Sequence, residues 1–309
     1  SGTTGIPKIL FRSFESWADF FTVQNEVFGV DADSRLFVQG SLAFTGNLNL
    51  YMAQLAAGGT LIAEDVFLPG KWEQVMARER ANGIYLIPSK LLMLPRVFKG
   101  VNANIRTIIS GSQSLGRKDA EVLKKIFPNT EITLYYGASE LNYITYVKSA
   151  DMTEERNLIG KPFPGVRVFI QDDEMYVDNA FHVENITVPY SLRDSGRMDT
   201  QGNFYFLGRT DDIVGVRGRK VSMMKIENAL EEVAGITEAA VVLLPKEKDA
   251  DMPAEIVSAF VTVEGTDVPE NLRQQLKTRL ADFEIPKRVI VLETLPKNTS
   301  GKVDKARLK

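Results

Sequence analysis

Ser1-Gly2-Thr3-Thr4-Gly5-Ile6-Pro7-Lys8 is the stretch whose residue types point most directly to chemistry. Glycines let backbone N–H groups approach an anion, hydroxyls donate hydrogen bonds and a lysine adds a point charge, so the octet suits the wrapping of phosphate. It does not follow the common P-loop pattern, which needs Gly, four spacers and then Gly-Lys-Ser/Thr. Taken alone, it reads equally well as a polar tail with a turn at Gly5-Ile6-Pro7.

Four further stretches occur downstream in a fixed order: Tyr136-Gly137-Ala138-Ser139-Glu140; Asp194 followed by Gly196; Gly208-Arg209-Thr210-Asp211-Asp212 with Gly218 and Lys220-Val221 behind it; and Pro296-Lys297-Asn298-Thr299-Ser300-Gly301-Lys302. Together with the octet, these resemble the adenylate-forming superfamily of acyl- and aryl-CoA ligases, peptide-synthetase adenylation domains and luciferases. The resemblance implies an AMP-forming acid–thiol ligase that uses ATP, Mg²⁺ and CoA on a carboxylic acid substrate. The thiol acceptor it implies is CoA or a carrier-protein pantetheine.

Site roles follow from the same resemblance. Ser1, Gly2, Thr3, Thr4, Gly5 and Lys8 would hold the leaving pyrophosphate, and Gly111 and Ser112 would flank adenine and the acyl group. Tyr136, with Gly137 beside it, would lie on the adenine face, Ser139 near the α-phosphate and Glu140 on Mg²⁺. Asp194 and Arg209 would fix the ribose, while Lys302 bridges the carboxylate and the α-phosphate. Thr3, Glu140 and Arg209 join Lys302 as the catalytic set. Asp211 would be the hinge about which a small domain turns, bringing Gly218 to a thiol tunnel.

Two departures from the family pattern stand out. Leu192-Arg193-Asp194 occupies the place of a usual Thr-Gly-Asp, and Lys220 stands where an arginine is frequent, a change that is not neutral at phosphate. The segment Gly40 to Asn47 carries neither the histidine common in CoA ligases nor the aspartate that meets a substrate ammonium. A pocket lined by Leu42, Ala43, Phe44 and Thr45 disfavours an α-amino acid, because a buried ammonium needs a carboxylate partner. A neutral acyl or aryl acid fits better.

Composition narrows the field. The 309 residues are 44% hydrophobic and 25% charged, with a net charge of -3, so nucleic acid is an unsuitable partner. There is no cysteine, which excludes disulfides, thiolate metal sites and a cysteine nucleophile. With a single histidine, His182, Ser-His catalysis has little material. No apolar run reaches the roughly 18 residues of a membrane span, and a cytoplasmic location is expected.

These groups need a frame that presents them together. Alternating helices and short apolar strands predict an α/β fold with a largely parallel sheet. Strands are expected over 35–39, 60–63, 84–87, 105–110 and 131–135. Helices are expected over 13–30, 48–57, 72–81 and 117–127, with another capped by Ser89 and running to Leu94. Gly111-Ser112-Gln113-Ser114 and Tyr136 to Glu140 then become loops beyond the carboxyl ends of strands, where such sheets bind ligands.

Past Gly160 the period-two texture, including His182 to Val188, predicts an antiparallel β-rich segment. Residues 1–210 are read as a partial large AMP-binding domain with a β-rich subdomain at about 161–210. Residues 211–309 are read as a small C-terminal α+β domain, with a helix from Pro269 to Phe283. Family members carry a sizeable N-terminal subdomain before the phosphate loop, so a missing N-terminal segment is expected here. The alternatives are an adenylation domain that loads a carrier protein and a truncated, non-catalytic nucleotide-binding polypeptide.

Overall fold

The computed structural model describes residues 9–216, 218–245, 255–297 and 303–309. They form two compact units, one built from the chain up to Leu192 with Gly196–Phe206, the other from Arg193–Ser195 with Leu207–Lys309.

The first unit opens with α1 (Glu15–Phe28), β1 (Arg35–Gln39), α2 (Thr45–Ala56), β2 (Thr60–Glu64), α3 (Pro69–Arg78) and β3 (Gly83–Tyr85). The short helices α4 (Pro88–Leu91) and α5 (Leu94–Val97) follow, then β4 (Thr107–Gly111), α6 (Arg117–Ile126) and β5 (Glu131–Ala138). Strands β1 to β5 are parallel, in the order β2-β1-β3-β4-β5.

Strand alternation builds a core on each face of this sheet. Phe37, Ile84, Ile108 and Ile132 join Trp72 and Met76 of α3 and Leu123 of α6. Their sequence neighbours Leu36, Tyr85 and Ile109 join Phe20 and Phe28 of α1 and Leu50 of α2 on the other face. Helices on both faces leave the carboxyl ends of the strands on one open edge.

Beyond β5 the sheet continues through β6 (Asn142–Lys148), β7 (Leu158–Pro162), β8 (Arg167–Gln171), β9 (Glu174–Asp178), β10 (Tyr190–Met198) and β11 (Phe204–Arg209). Its order from β5 is β6-β7-β11-β10-β9-β8, and the pairs β5/β6, β6/β7, β7/β11 and β8/β9 are antiparallel.

Several expected elements are placed differently. His182 to Val188 is not a strand: Val183 N–H donates to Glu140 O (2.9 Å) and Glu184 N–H to Phe11 O (2.8 Å), single bonds that never become a ladder. Ser89 is not a helix cap, because α4 starts one residue earlier, at Pro88, with Ile87 as its N-cap. Tyr136, Gly137 and Ala138 belong to β5 rather than to a loop. Asp194, for which no element was expected, lies on β10.

In the second unit, a 3₁₀ turn at Thr210–Asp212 precedes the hairpin of β12 (Ile213–Val216) and β13 (Arg219–Ser222). Then come α7 (Met223–Glu231), β14 (Ile236–Pro245), β15 (Glu255–Val263), α8 (Leu272–Lys277) and β16 (Arg288–Val291). Ser222 Oγ caps α7 by accepting from Lys225 N–H. The expected helix over 269–283 shortens to α8. Ile226 and Leu230 of α7, Val241 of β14, Ala259 of β15 and Leu276 of α8 share one core. No helix among the described residues is long and apolar enough to cross a membrane.

Candidate functional site

Ser112, directly after β4, has φ 69°, a left-handed conformation that turns the chain sharply at the strand end. Gly111 before it has no room for a side chain, since an added Cβ would lie 2.4 Å from the Tyr135 ring. That ring is fixed from beneath: Tyr135 stacks on Tyr85 and their hydroxyls are 2.8 Å apart. Burial pushes Tyr135 up to about 12 and Tyr85 well above the usual phenol range, so both remain neutral and act as floor rather than as bases. Gln113 Oε1 accepts from Ser89 N–H (2.9 Å), tying the β4 loop to α4.

The end of β5 is a hairpin with β6, not a strand-to-helix loop. The register shifts between Tyr136 and Gly137, and an added Cβ at Gly137 would meet Asn142 O at 2.6 Å. This bulge re-aims the strand at its tip. The Tyr136 ring packs 5.9 Å from that of Phe206. Ser139 Oγ donates to Thr45 Oγ1 at the start of α2 (3.1 Å).

Arg12 fastens this turn, and sequence reasoning missed it. Its Nη2 donates to Ser139 O (3.1 Å), and its Nη1 donates to Phe181 O (2.7 Å) and Ser16 O (3.2 Å). The guanidinium also lies over the Trp17 ring. Burial lowers Arg12 to about 10, opposed by the charge of Glu140. A basic residue four places after the octet was the only signal available in the sequence.

Glu140 therefore sits on a turn held by Arg12, Thr45 and Val183. Among the described residues, the side-chain oxygens at this turn include the Glu140 carboxylate and the hydroxyls of Ser139 and Thr45, a set that suits a hard cation. No cluster of three or more His, Cys, Asp or Glu side chains that could hold a metal exists among the described residues. That donor set fits Mg²⁺ carried mainly by phosphates and water, with one protein carboxylate.

The second unit holds the remaining described positions. Arg209 Nε, at the end of β11, is 3.5 Å from Asp194 Oδ1; the carboxylate is 5% exposed and the guanidinium 51%. Arg193 has φ 60°, so the residue standing in place of the family glycine adopts a conformation that glycine prefers. Gly218, in the β12–β13 turn, has φ 76° with nothing within 4 Å of an added Cβ. The backbone of Asp211 lies in the 3₁₀ turn Thr210–Asp212. Ser1, Gly2, Thr3, Thr4, Gly5, Lys8 and Lys302 lie outside the described residues. The chain flanking Lys302 is anchored by the Lys297–Val303 bridge, by the Lys297–Glu238 ion pair and by Lys305, 2.8 Å from Glu227.

The sequence matches the AMP-binding enzyme family over residues 1–180 and the AMP-binding enzyme C-terminal domain over residues 225–302. The chain belongs to the AMP-binding enzyme family. An uncharacterised acyl-CoA ligase, YhfT of Bacillus subtilis (strain 168), is 27% identical over 329 residues, covering 100% of this chain and 67% of the relative. A 2-succinylbenzoate–CoA ligase of Listeria monocytogenes serotype 4b (strain F2365) is 26% identical over 326 residues, covering 100% and 68%. The fold matches that of the O-succinylbenzoate coenzyme A synthetase MenE from Bacillus subtilis, solved with ATP and magnesium ion, at a TM-score of 0.86 and 20% identity. That match covers 100% of this chain and 68% of MenE. The chain thus spans about two thirds of the length of these relatives.

Proposed function

We propose that this chain joins a carboxylic acid to the α-phosphate of ATP, releasing pyrophosphate, and then passes the acyl group to a thiol, releasing AMP. The observation that carries the reading is the turn at Ser139-Glu140: one carboxylate and two hydroxyls, pinned by Arg12 at the carboxyl edge of a parallel sheet in an AMP-binding family member. CoA is the proposed acceptor, and a carrier-protein pantetheine is the alternative that the same chemistry would accept.

Bringing two anions together requires charge to be neutralised where it develops. The 1–8 loop would hold the leaving pyrophosphate through backbone N–H groups, with Thr3 and Lys8 supplying hydroxyl and charge. Ser139 would donate to the α-phosphate, and Tyr136 would offer its ring to the base. Asp194 would accept from ribose hydroxyls beside Arg209. Glu140 is the residue that would hold Mg²⁺, and the ion, when bound, neutralises phosphate charge. Lys302 would bridge carboxylate and α-phosphate, and Asp211 would be the pivot that withdraws it before the thiol arrives.

The half-reactions separate the roles. Lys302→Ala should cut adenylate formation by orders of magnitude, since one charge placed at a developing anion is worth about 3 to 4 kcal/mol. Thioester formation from pre-made adenylate should largely survive. Equal loss of both half-reactions would remove Lys302 from this role.

A further inference from the structure

The open edge of the sheet carries a second feature that the proposed chemistry leaves unused. Lys90, in α4, reaches across the end of β1 and donates from Nζ to the main-chain carbonyl of Gln39 (3.1 Å) and to Gln39 Oε1. It also lies 5.9 Å over the centre of the Phe67 ring. Both oxygens are neutral, and burial lowers the Lys90 pKa with no carboxylate among the described residues opposing it. An ammonium has three N–H donors, so these two bonds leave one unused. A half-buried cation without a counter-charge is costly to maintain, and an anionic ligand would relieve that cost.

The surroundings suit the rest of such a ligand. Leu42 and Phe44, after β1, are 54% and 44% exposed, and Val66, Phe67 and Leu68, after β2, are 53%, 46% and 45% exposed. β1 and β2 are parallel neighbours with Gln39 opposite Glu64, so both loops leave the sheet side by side. Apolar side chains grouped beyond the carboxyl ends of strands make a wall for an apolar spacer. β3, which leads to Lys90, lies two strands from β5, which ends at the Ser139-Glu140 turn. The ammonium itself lies at the end of β1, three strand steps or roughly 14 Å from that turn.

We propose that Lys90, held by Gln39, is a specificity-determining residue that receives the second carboxylate of a dicarboxylic acid substrate, whose apolar spacer lies along the Leu42–Phe44 and Val66–Leu68 loops. The inference rests on the adenylation reading above and names the substrate class of that site. The apolar loop takes the spacer, as expected from its residues, but the Lys90 cation replaces the neutral distal end expected from them with an anionic one. Octanedioic acid and octanoic acid, which share a spacer and differ in the distal group, are the probes.

Acid-dependent pyrophosphate exchange is measured with both acids on the wild type and on Lys90→Met, which keeps the length of the stem. The wild type should favour the diacid, and the ratio of kcat/KM values should fall by about 10- to 100-fold in the variant, the worth of one hydrogen bond to a charged group. A wild type that prefers octanoic acid, or a variant that keeps the diacid preference, overturns the proposal. Thermal stabilisation by each acid is read in parallel and needs no turnover. If neither acid supports exchange, the adenylation reading fails for these acids while the binding result still decides Lys90. Stabilisation of the wild type by octanedioic acid, lost in Lys90→Met, supports the assignment, and equal or absent stabilisation overturns it.

Discussion

Arg12 gives the sharpest test of how the Ser139-Glu140 turn is held. Its guanidinium bonds the nearby Ser16 O and two distant carbonyls, Ser139 O and Phe181 O, that lie 127 and 169 positions away in the chain. A hydrogen bond to a charged group contributes about 1.5 to 3 kcal/mol. Losing the two distant bonds, with the Ser16 bond local to the same turn of chain, in a half-buried site where the released carbonyls regain some water gives a cost of about 2 kcal/mol for Arg12→Met. For a domain of about 200 residues that is a fall in Tm of roughly 4 to 8 °C. Arg12→Lys is the informative partner because it keeps a positive charge beside Glu140 but cannot present a planar fork to two carbonyls. If Arg12 works by geometry, Lys should lose nearly as much stability as Met, and both variants should need more Mg²⁺ for half-maximal pyrophosphate exchange. Thermal unfolding and a Mg²⁺ titration read the two effects separately. Full rescue by Lys would show that charge alone matters, and an unchanged Tm and titration in Arg12→Met would refute the positioning role.

Glu140→Gln keeps size and hydrogen bonding but removes the charge that Mg²⁺ needs, so the ion concentration for half-maximal activity should rise several-fold; an unchanged titration would assign the ion to another group. Arg193→Gly relieves a left-handed conformation that costs a residue with a Cβ about 1 to 2 kcal/mol, offset by about 0.5 to 1 kcal/mol of glycine chain entropy, so stability should hold or rise slightly by denaturant unfolding. A clear loss would mean that the Arg193 side chain contributes more than its backbone costs. Glu227 is pushed above the usual carboxylate range by burial, opposed by Lys305. A raised folded pKa means that its ionisation weakens the fold as pH climbs from the ordinary glutamate range through the folded value. Relative to Glu227→Gln, the wild type should therefore lose ground as pH rises through that window, and a constant difference between the two would remove burial as the cause.

The parallel half of the sheet was legible because each strand is a short apolar run closed by a turn residue, as at Gln39-Gly40 and Tyr85 to Pro88. The helices of that half were legible from their apolar stripes, though α2 begins at Thr45 rather than Leu48. Elements defined by a distant partner were not legible. β5 runs on through Ala138 only because Asn142 to Lys148 returns beside it, and β10 carries Asp194 through a residue with positive φ. His182 to Val188 has strand-like alternation but spends its backbone bonds on Glu140 and Phe11. Within the site, residue identity marked Tyr136, Ser139, Glu140 and Asp194. Arg12 escaped, and Thr45 was marked only as pocket lining and not as the partner of Ser139, because these roles depend on what the fold brings to them.

Acid-dependent exchange of labelled pyrophosphate into ATP tests the central claim most directly, because it reports reversible attack of a carboxylate on the α-phosphate and no later step. Across a panel of mono- and dicarboxylic acids, label should enter ATP only when Mg²⁺ and a suitable acid are present, with AMP as the nucleotide product once CoA is added. A chain that binds ATP yet exchanges no label with any acid, or that releases ADP and phosphate, would contradict the account.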